Sequence, residues 1–307
     1  MEKTSCPISE AARLIRAGRL VAFPTETVYG LGANALDTDA VRRIFEAKGR
    51  PSTSPLIVHV DSIEMARGLA RQWPPSADTL ARAWWPGPLT IVVLKQPHVP
   101  GIVTAGLDTV GLRMPSHPLA LELIRAAGVP IAAPSANRFT ELSPTTADHV
   151  RQSLGDVVDC ILDGGPTTVG IESTVISLAA QPVLLRPGMI SREEIEALIG
   201  PLGMAGAADG AHPSPGMHPR HYAPRTPVIT GDPPADGRGV YLYLTRAGSA
   251  ARAIAMPRDA RAYAAAIYGT LHTLDAERLD WIAIEMPPDT PEWAGVRDRL
   301  TRAAHRV

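Results

Sequence analysis

Apolar residues in the first two thirds of the chain recur either at helical spacing or in short continuous runs. Helical spacing predicts helices over residues 9–17, 37–48, 62–71, 76–85, 118–127, 145–154 and 193–199. Short apolar runs predict strands over residues 20–23, 56–60, 89–94, 110–113, 129–133, 157–162, 173–178 and 183–185. Because strands and helices mix without strict alternation, we predict one α/β domain with a mixed, twisted sheet over residues 1–200.

The composition changes over residues 201–227, which are rich in glycine, alanine, proline and histidine and have almost no apolar period. This composition predicts a linker. After it, predicted strands over residues 228–230, 239–245, 252–256 and 281–286 alternate with helices near residues 259–274 and 292–304. The alternation predicts a small Rossmann-like α/β domain over residues 228–307.

Composition and charge exclude several classes of protein. The 307 residues carry 30 Lys+Arg against 31 Asp+Glu, a formal net charge of -1. Such a chain has no global positive field that would bind nucleic acid non-specifically. It contains no apolar stretch of about 18 residues and its start does not resemble a signal peptide, so we expect no membrane span. The two cysteines, Cys6 and Cys160, exclude a disulfide framework and a four-cysteine zinc site, which favours a reducing, cytoplasmic location.

Residues that suit ligand binding lie at the ends of several predicted strands. Each has a plain structural explanation when taken alone: a capped loop, cations at a helix C-terminus, or a surface charge. Polar groups beyond strand ends also commonly line ligand crevices. The candidates from this pattern are Thr27, Lys48, Arg50, His59, Arg113, Ser135, Asn137, Ser173 and Arg186.

If these side chains face one cavity, that cavity is strongly cationic and contains no obvious nucleophile. Such a site suits polyphosphate chemistry, in which positioning and charge stabilisation lower the barrier, and does not suit acyl-enzyme catalysis. Residues 30–35 match the pattern GxGxxA. No strand leads directly into them and no acidic residue follows about 20 positions later, so we do not expect a dinucleotide site.

The motifs along the chain resemble the YrdC family, specifically its two-domain members, the threonylcarbamoyl-AMP synthases. These motifs are FPTETVYGLG, KGRP followed by PLIVHV, LRMPSHP, APSAN followed by SPTT, GIESTVI, LLRPG, and SPG…HYAP in the linker. The resemblance covers residues 8–230 and keeps the family's motif order, whereas the C-terminal domain matches only in position and α/β pattern. It implies a YrdC-like twisted mixed sheet with a smaller Rossmann-like domain.

The resemblance also implies an activity. The family makes L-threonylcarbamoyladenylate from L-threonine, bicarbonate and ATP and releases pyrophosphate, and the product serves the threonylcarbamoyladenosine modification of tRNA next to the anticodon. We therefore expect Mg²⁺ to accompany ATP. We also expect partner proteins that accept the product directly or by hand-over, and no strong non-specific binding of nucleic acid.

The family's functional residues can be carried over position by position. Catalytic roles fall on Lys48 and Arg50, while the resemblance identifies no metal ligands. Contacts to L-threonine and bicarbonate fall on Thr27, His59, Arg113, Ala133 and Ser173. Contacts to ATP fall on Arg50, Ser54, Thr109, Ser135, Asn137, Ser143, Arg186 and Tyr222.

One departure from the family pattern and several alternatives stay open at this point. Ser54 precedes Pro55 where the family often has asparagine, which predicts a weaker nucleotide contact. The chain is alternatively an RNA-binding module, or a carbamoyl-adenylate enzyme that uses another substrate on the same fold. The linker over residues 201–227 is expected to be a lid over the site that excludes water, or else a passive tether.

Overall fold

A mixed sheet of nine strands forms the first lobe of the protein. The computed structural model describes residues 6–203, 222–248 and 250–305. The strands are β1 Val21–Phe23, β2 Gly30–Asn34, β3 Ile57–His59, β4 Leu89–Leu94, β5 Thr109–Arg113, β6 Ile131–Ala132, β7 Cys160–Ile161, β8 Thr174–Ser177 and β9 Val183–Arg186. They are arranged in the order β7-β1-β2-β6-β3-β5-β4-β8-β9. Parallel and antiparallel pairs both occur, which confirms the predicted mixed sheet.

The helices of the first lobe begin and end at residues that the sequence makes suitable. They are α1 Ile8–Arg16, α2 Thr38–Lys48, α3 Ile63–Leu69, α4 Pro75–Trp84, α5 Pro118–Ala127, α6 Ala147–Leu154 and α7 Arg192–Ile199. Helix α2 starts at Asp37, whose carboxylate accepts hydrogen bonds from the amides of Asp39 and Ala40, and ends at Gly49 in the left-handed region. This left-handed turn directs the chain from Lys48 into the segment that carries Arg50.

Alternation along the strands separates the core of the first lobe from the face that carries polar residues. In β5, Val110 and Leu112 enter the main hydrophobic core, so Thr109, Gly111 and Arg113 point to the opposite face. In β3, Val58 likewise enters that core. The concave polar face of the sheet therefore follows from the period of two in these strands.

The second lobe contains a four-stranded parallel sheet. Its strands are β10 Val228–Thr230, β11 Gly239–Tyr243, β12 Ala253–Ala255 and β13 Trp281–Ile284, in the order β10-β13-β11-β12. Its helices are α8 Ala260–Ala276 and α9 Ala294–Ala304. The all-parallel pairing suits a Rossmann-like unit. The predicted alternation is found only from α8 onward, because β10, β11 and β12 follow one another along the described chain before that helix.

The two lobes approach each other closely at glycines. A Cβ added at Gly170 would lie 2.2 Å from the carbonyl oxygen of Ala264 in α8. One added at Gly295 in α9 would lie 2.5 Å from the carbonyl oxygen of Gly188. The core of the second lobe also includes Ile171 from the first, so the interface is both apolar and tight.

The linker prediction is only partly accessible to the structure. Residues 204–221, which make up most of the predicted 201–227 segment, lie outside the described residues. From Tyr222 onward the chain is described, and Tyr222 is buried against the second lobe. The boundaries 1–200, 201–227 and 228–307 stay predictions.

The cysteines correct one sequence-based inference. Cys6 and Cys160 form a disulfide with a Cα–Cα distance of 6.2 Å, which ties the start of the described chain to β7. The sequence excluded a disulfide framework, and a single bond across 154 residues leaves that exclusion intact. The inference of a reducing compartment loses the support of these cysteines, however. Among the helices of the described residues, none is both long and apolar enough to cross a membrane.

The close approach of α9 to Gly188 leads to a test of the interface. Alanine normally stabilises a helix relative to glycine by about 1 kcal/mol. We expect Gly295→Ala instead to lower the free energy of unfolding by about 1–3 kcal/mol, because its Cβ has no space. Gly269→Ala in α8 is the matched control, since its Cβ would lie 4.0 Å from the nearest atom, and it should stabilise the protein. Urea unfolding measures both, and a stabilising Gly295→Ala would contradict the interface described here.

Candidate active site

A cleft lies on the polar face of the first sheet, and Tyr222 is among the residues that line it. Nine of the predicted residues line it: Thr27, Arg50, His59, Arg113, Ala133, Ser135, Ser173, Arg186 and Tyr222. Segments distant in sequence thus converge in one cationic cleft.

Strand pairing explains this convergence. His59 ends β3 and Arg113 ends β5, and the two residues are direct partners in the parallel ladder. Ser135 follows β6 and forms an isolated bridge with Gly30, which brings the loop after β6 to the start of β2. Arg186, the last residue of β9, pairs with Val175 of β8, two positions after Ser173. The polar side chains therefore gather on the face of the sheet, rather than only beyond its strand ends.

Five predicted residues do not line this cleft: Ser54, Asn137, Ser143, Thr109 and Lys48. Ser54 accepts a hydrogen bond from Arg50 Nη2, and the side-chain amide of Asn137 donates to the carbonyl oxygens of Arg138 and Glu141. Ser143 donates to Glu172 Oε1 at 2.5 Å. Thr109, four residues before Arg113 and thus roughly 13 Å along the strand, lines a smaller cavity that shares Ile57 with the cleft.

Lys48, the fifth of these residues, connects the end of α2 to the loop after β6. Its Nζ donates to the carbonyl oxygens of Ser135, at 2.6 Å, and Asn137. Burial, and then the charge of Arg50, lower the pKa of Lys48 well below 10.5. In this structure Lys48 acts on the cleft by holding the loop that carries Ser135.

Two arginines supply positive charge at one end of the cleft. Arg50 Nη2 also donates to the carbonyl oxygen of Pro55 at 3.1 Å, and its Nε is buried without a hydrogen-bond partner in the described part of the chain. Burial is the main reason that the pKa of Arg50 falls to about 10, so Arg50 remains charged at neutral pH. Arg186 donates through Nε and Nη2 to the carbonyl and hydroxyl oxygens of Ser173, each at 3.1 Å.

Arg113 supplies the charge at the other end and is held by three acceptors. It forms an ion pair with Glu26 Oε1 at 2.7 Å and donates to Thr27 Oγ1 at 2.9 Å and to the carbonyl oxygen of Gly87 at 3.3 Å. A guanidinium has five N–H groups, and within the described residues only two of those of Arg113 donate hydrogen bonds, because Nη2 contacts Glu26 without one. N–H groups of Arg113 therefore remain for a ligand. Burial and the charge of Arg113 lower the pKa of His59 to about 3, so His59 is neutral at pH 7.

Sequence reasoning missed two buried carboxylates that the cleft depends on. Glu26 pairs with Arg113, and Glu172 lines the cleft while accepting from Ser143 and from Arg299 Nε, the latter at 2.6 Å. Both lie inside the quoted motifs, at FPTETVYGLG and GIESTVI. Their positions in these motifs could have indicated them as counter-charges, because buried arginines require carboxylate partners. Nothing in the α9 sequence indicated that Arg299 would reach the cleft.

Comparison with known proteins gives matches over nearly the whole chain. Residues 13–188 match the Sua5/YciO/YrdC family, described as "Telomere recombination". Residues 190–305 match the family described as "Threonylcarbamoyl-AMP synthase, C-terminal domain". The threonylcarbamoyl-AMP synthase of Bacillus subtilis is 47% identical over 320 residues, which cover 97% of this chain and 92% of the relative. That of Pyrococcus abyssi is 54% identical over 231 residues, which cover 74% and 68%.

A solved structure resembles both lobes together. The crystal structure of P. abyssi Sua5 complexed with L-threonine superimposes with a TM-score of 0.90 at 43% identity, covering 97% of this chain and 94% of that one. The agreement extends over the two-lobe architecture.

The environment of Glu172 predicts how stability depends on pH. Burial by itself raises the pKa of Glu172, but the charges of Arg299 and Arg186 and the hydrogen bond from Ser143 together lower it below 4.5. A carboxyl whose pKa is lower in the folded than in the unfolded protein stabilises the fold at neutral pH, and this stabilisation is lost as the pH falls below 4.5. For each unit by which folding lowers the pKa of Glu172, the parent should lose about 1.4 kcal/mol more free energy of unfolding in acid than Glu172→Gln loses.

Urea unfolding of the parent and of Glu172→Gln at pH 7 and at several values below 4.5 measures this difference, and the pH 7 values serve as each protein's own reference. Parallel acid profiles for the two proteins would contradict the assigned environment of Glu172.

Proposed function

This chain belongs to the Sua5/YciO/YrdC family and carries the threonylcarbamoyl-AMP synthase C-terminal domain, and on that basis we propose what it catalyses. The proposed reaction makes L-threonylcarbamoyladenylate from L-threonine, bicarbonate and ATP, with release of pyrophosphate. The product would serve the threonylcarbamoyladenosine modification of tRNA. The observation that carries this proposal is one cleft lined by three buried arginines, of which Arg113 is paired with Glu26 while Arg50 and Arg186 are close enough to interact electrostatically. Arg113 suits a carboxylate, and the other two suit phosphates.

L-threonine is proposed to bind at the Arg113 end. The N–H groups that Arg113 does not use suit a carboxylate, and the ion pair with Glu26 orients the guanidinium. Neutral His59 adds no further cation, so it leaves the amine of threonine without a repelling neighbour. Thr27, Ser173 and the backbone of Ala133 would complete this end of the cleft. The solved relative with bound L-threonine supports this assignment.

ATP is proposed to bind at the Arg50 and Arg186 end. A carboxylate, a carbamate and a triphosphate repel one another by about 1 kcal/mol per pair of unit charges at 4 Å in water, and by several-fold more where water is excluded. The two buried arginines offset this repulsion. Ser54 accepts from Arg50. The shorter side chain at this position would thus act by orienting a cation, rather than by replacing an asparagine contact.

The proposed chemistry needs no covalent enzyme intermediate. The threonine amine attacks bicarbonate to give a carbamate and water, and a carbamate oxygen then attacks the α-phosphorus and displaces pyrophosphate. Holding these groups in near-attack geometry can remove ~7–11 kcal/mol of the barrier. Lys48 would contribute by fixing the loop of Ser135, and Arg50 by direct contact with the phosphates.

Magnesium is proposed to enter as the complex with ATP. Within the described residues there is no cluster of three histidine, cysteine, aspartate or glutamate side chains that fits a metal ion. Glu172, the carboxylate that lines the cleft, is already paired with Arg299, and Glu26 is already paired with Arg113. These residues do not fit a metal held by the protein, and Mg²⁺ bound by phosphate oxygens requires few protein ligands.

We further propose that the segment before Tyr222 acts as a lid. Tyr222, the first described residue after this segment, is buried and lines the cleft. A lid would exclude water from a product that hydrolyses readily. Release would then occur toward proteins that use the product in tRNA modification.

The reaction itself can be tested with the full-length protein. Incubation with ATP, L-threonine and bicarbonate should release pyrophosphate only when all three are present, because the carbamate must form before the α-phosphorus is attacked. Omission of each substrate in turn is the control. Pyrophosphate release that persists without threonine or without bicarbonate would contradict the proposal.

The two ends of the cleft predict different effects of losing an arginine. Arg113→Ala should raise the KM for threonine by about tenfold or more with a smaller change in the KM for ATP, since a charged carboxylate partner is lost. Arg50→Ala should instead raise the KM for ATP and lower kcat. Steady-state kinetics against each substrate separates the two. If Arg113→Ala changed only the ATP dependence, the threonine end would be assigned wrongly.

A further inference from the structure

Arg299 belongs to helix α9 of the second lobe, yet its guanidinium lies between the lobes beside the cleft. It is 1% exposed and is the largest of the fully buried side chains. Its Nε donates to Glu172 Oε2 at 2.6 Å and its Nη2 to the carbonyl oxygen of Glu172 at 3.3 Å. Its Nη1 donates to the carbonyl oxygen of Pro187 at 3.1 Å and to Asp298 at 2.6 Å. One residue of the second lobe thus holds two segments of the first.

Glu172 transmits this contact to the nucleotide end of the cleft. It lines the cleft itself, and its other oxygen accepts from the hydroxyl of Ser143 at 2.5 Å. The ring of Tyr222, which also lines the cleft, lies 5.1 Å from the guanidinium carbon of Arg299. Ser143 and Tyr222 are both candidate ATP contacts, so Arg299 touches the groups around the nucleotide without lining the cleft.

Helix α8 reinforces the same region. The hydroxyl of Tyr268 donates to Glu172 Oε2 at 3.3 Å, and one turn later a ring nitrogen of His272 lies 3.1 Å from the carbonyl oxygen of Ser143. The backbone of α8 is fixed against the first lobe at Gly170, where a side chain has no space. The second lobe therefore determines the positions of Glu172 and Ser143 from two helices.

We propose that Arg299 is a positioning residue for the nucleotide half of the active site and acts through Glu172. This inference rests on the proposed function. Its physical basis is the competition for a buried carboxylate: Arg299 satisfies Glu172, so Arg186 bonds to Ser173 instead. Without Arg299, the buried carboxylate of Glu172 has Arg186 as its neighbouring cation. Arg186 would then be drawn away from the triphosphate.

The threonine half should be less sensitive to this change than the nucleotide half. Arg113 has its own counter-charge in Glu26, and neither residue is among the partners of Arg299. Ser173 is the one proposed threonine contact that Arg186 holds, so it sets the smaller effect expected on threonine binding. A role that is merely structural would weaken both halves together. The difference between the two substrates therefore distinguishes positioning from general stability.

The test compares Arg299→Met with the control variant Arg302→Met. Arg302 also belongs to α9 and, like Arg299, forms an ion pair with Asp298. Calorimetry measures binding of the non-hydrolysable α,β-methylene analogue of ATP and, separately, of L-threonine. Arg299→Met should weaken binding of the analogue by about tenfold or more and change threonine binding by less than about threefold. Arg302→Met should match the parent for both.

A double variant tests whether Arg299 acts through Glu172. Removal of the carboxylate removes the competitor for Arg186, so Glu172→Gln combined with Arg299→Met should bind the ATP analogue better than Arg299→Met alone, or no worse. Losses that multiply, as for independent sites, would overturn the proposal. So would an Arg299→Met protein that binds the analogue within twofold of the parent, or that loses affinity for both ligands equally.

Two results would require a further measurement: failure of Arg299→Met to fold, and absence of pyrophosphate release by the parent. If Arg299→Met does not fold, as judged by circular dichroism, Arg299→Lys replaces it. Lysine keeps the charge but not the geometry of the guanidinium, so it should show a smaller loss that is still specific to the ATP analogue, and a loss shared equally with threonine would again overturn the proposal. If the parent binds the analogue but releases no pyrophosphate with all three substrates, the proposed reaction fails while the binding test of Arg299 still decides this inference.

Discussion

The structure depends on the burial of several arginines within one cleft. A buried cation without a partner is strongly destabilising, so each guanidinium must be supplied with acceptors by the fold. Arg113 has Glu26, Arg299 has Glu172, and Arg186 has the oxygens of Ser173. These partners hold Arg113 and Arg186 in place at the cleft and Arg299 beside it. The constraint that keeps the protein folded is thus the same one that arranges charge for the substrates.

The second lobe is part of the site rather than an appended module. Its core includes residues of the first lobe, and its helices α8 and α9 approach the first lobe so closely that glycine is required at Gly170 and Gly295. Through Arg299 and Tyr268 it reaches a carboxylate that lines the cleft. The cleft on the first sheet gains a wall in this way, which helps to exclude water from charged groups.

The sequence predicted most of the elements and most of the cleft because short motifs at strand ends carried the chemistry. The apolar run of β5 and the helical spacing of α2 predicted both elements, whereas β2 over Gly30–Asn34 was not predicted. The roles of the acids were not predicted either: Glu26 and Glu172 lay within the motifs, but their function is to pair with arginines far away in sequence. The disulfide between Cys6 and Cys160 escaped prediction for the same reason, since nothing local indicates a contact across 154 residues.

By itself the sequence determined most of the helices and strands and the mixed character of the first sheet, since these depend on local periodicity and capping. It did not indicate β2, Gly30–Asn34, whose glycines carry no apolar period. It also carried the motifs through which the family is identified. Only the tertiary structure decided which side chains meet: the register that pairs His59 with Arg113, the loop that Lys48 holds, and the entry of Arg299 from the second lobe. Pairing of charges is a property of distances in space, and residues separated by more than a hundred positions acquire such distances only when the chain is folded.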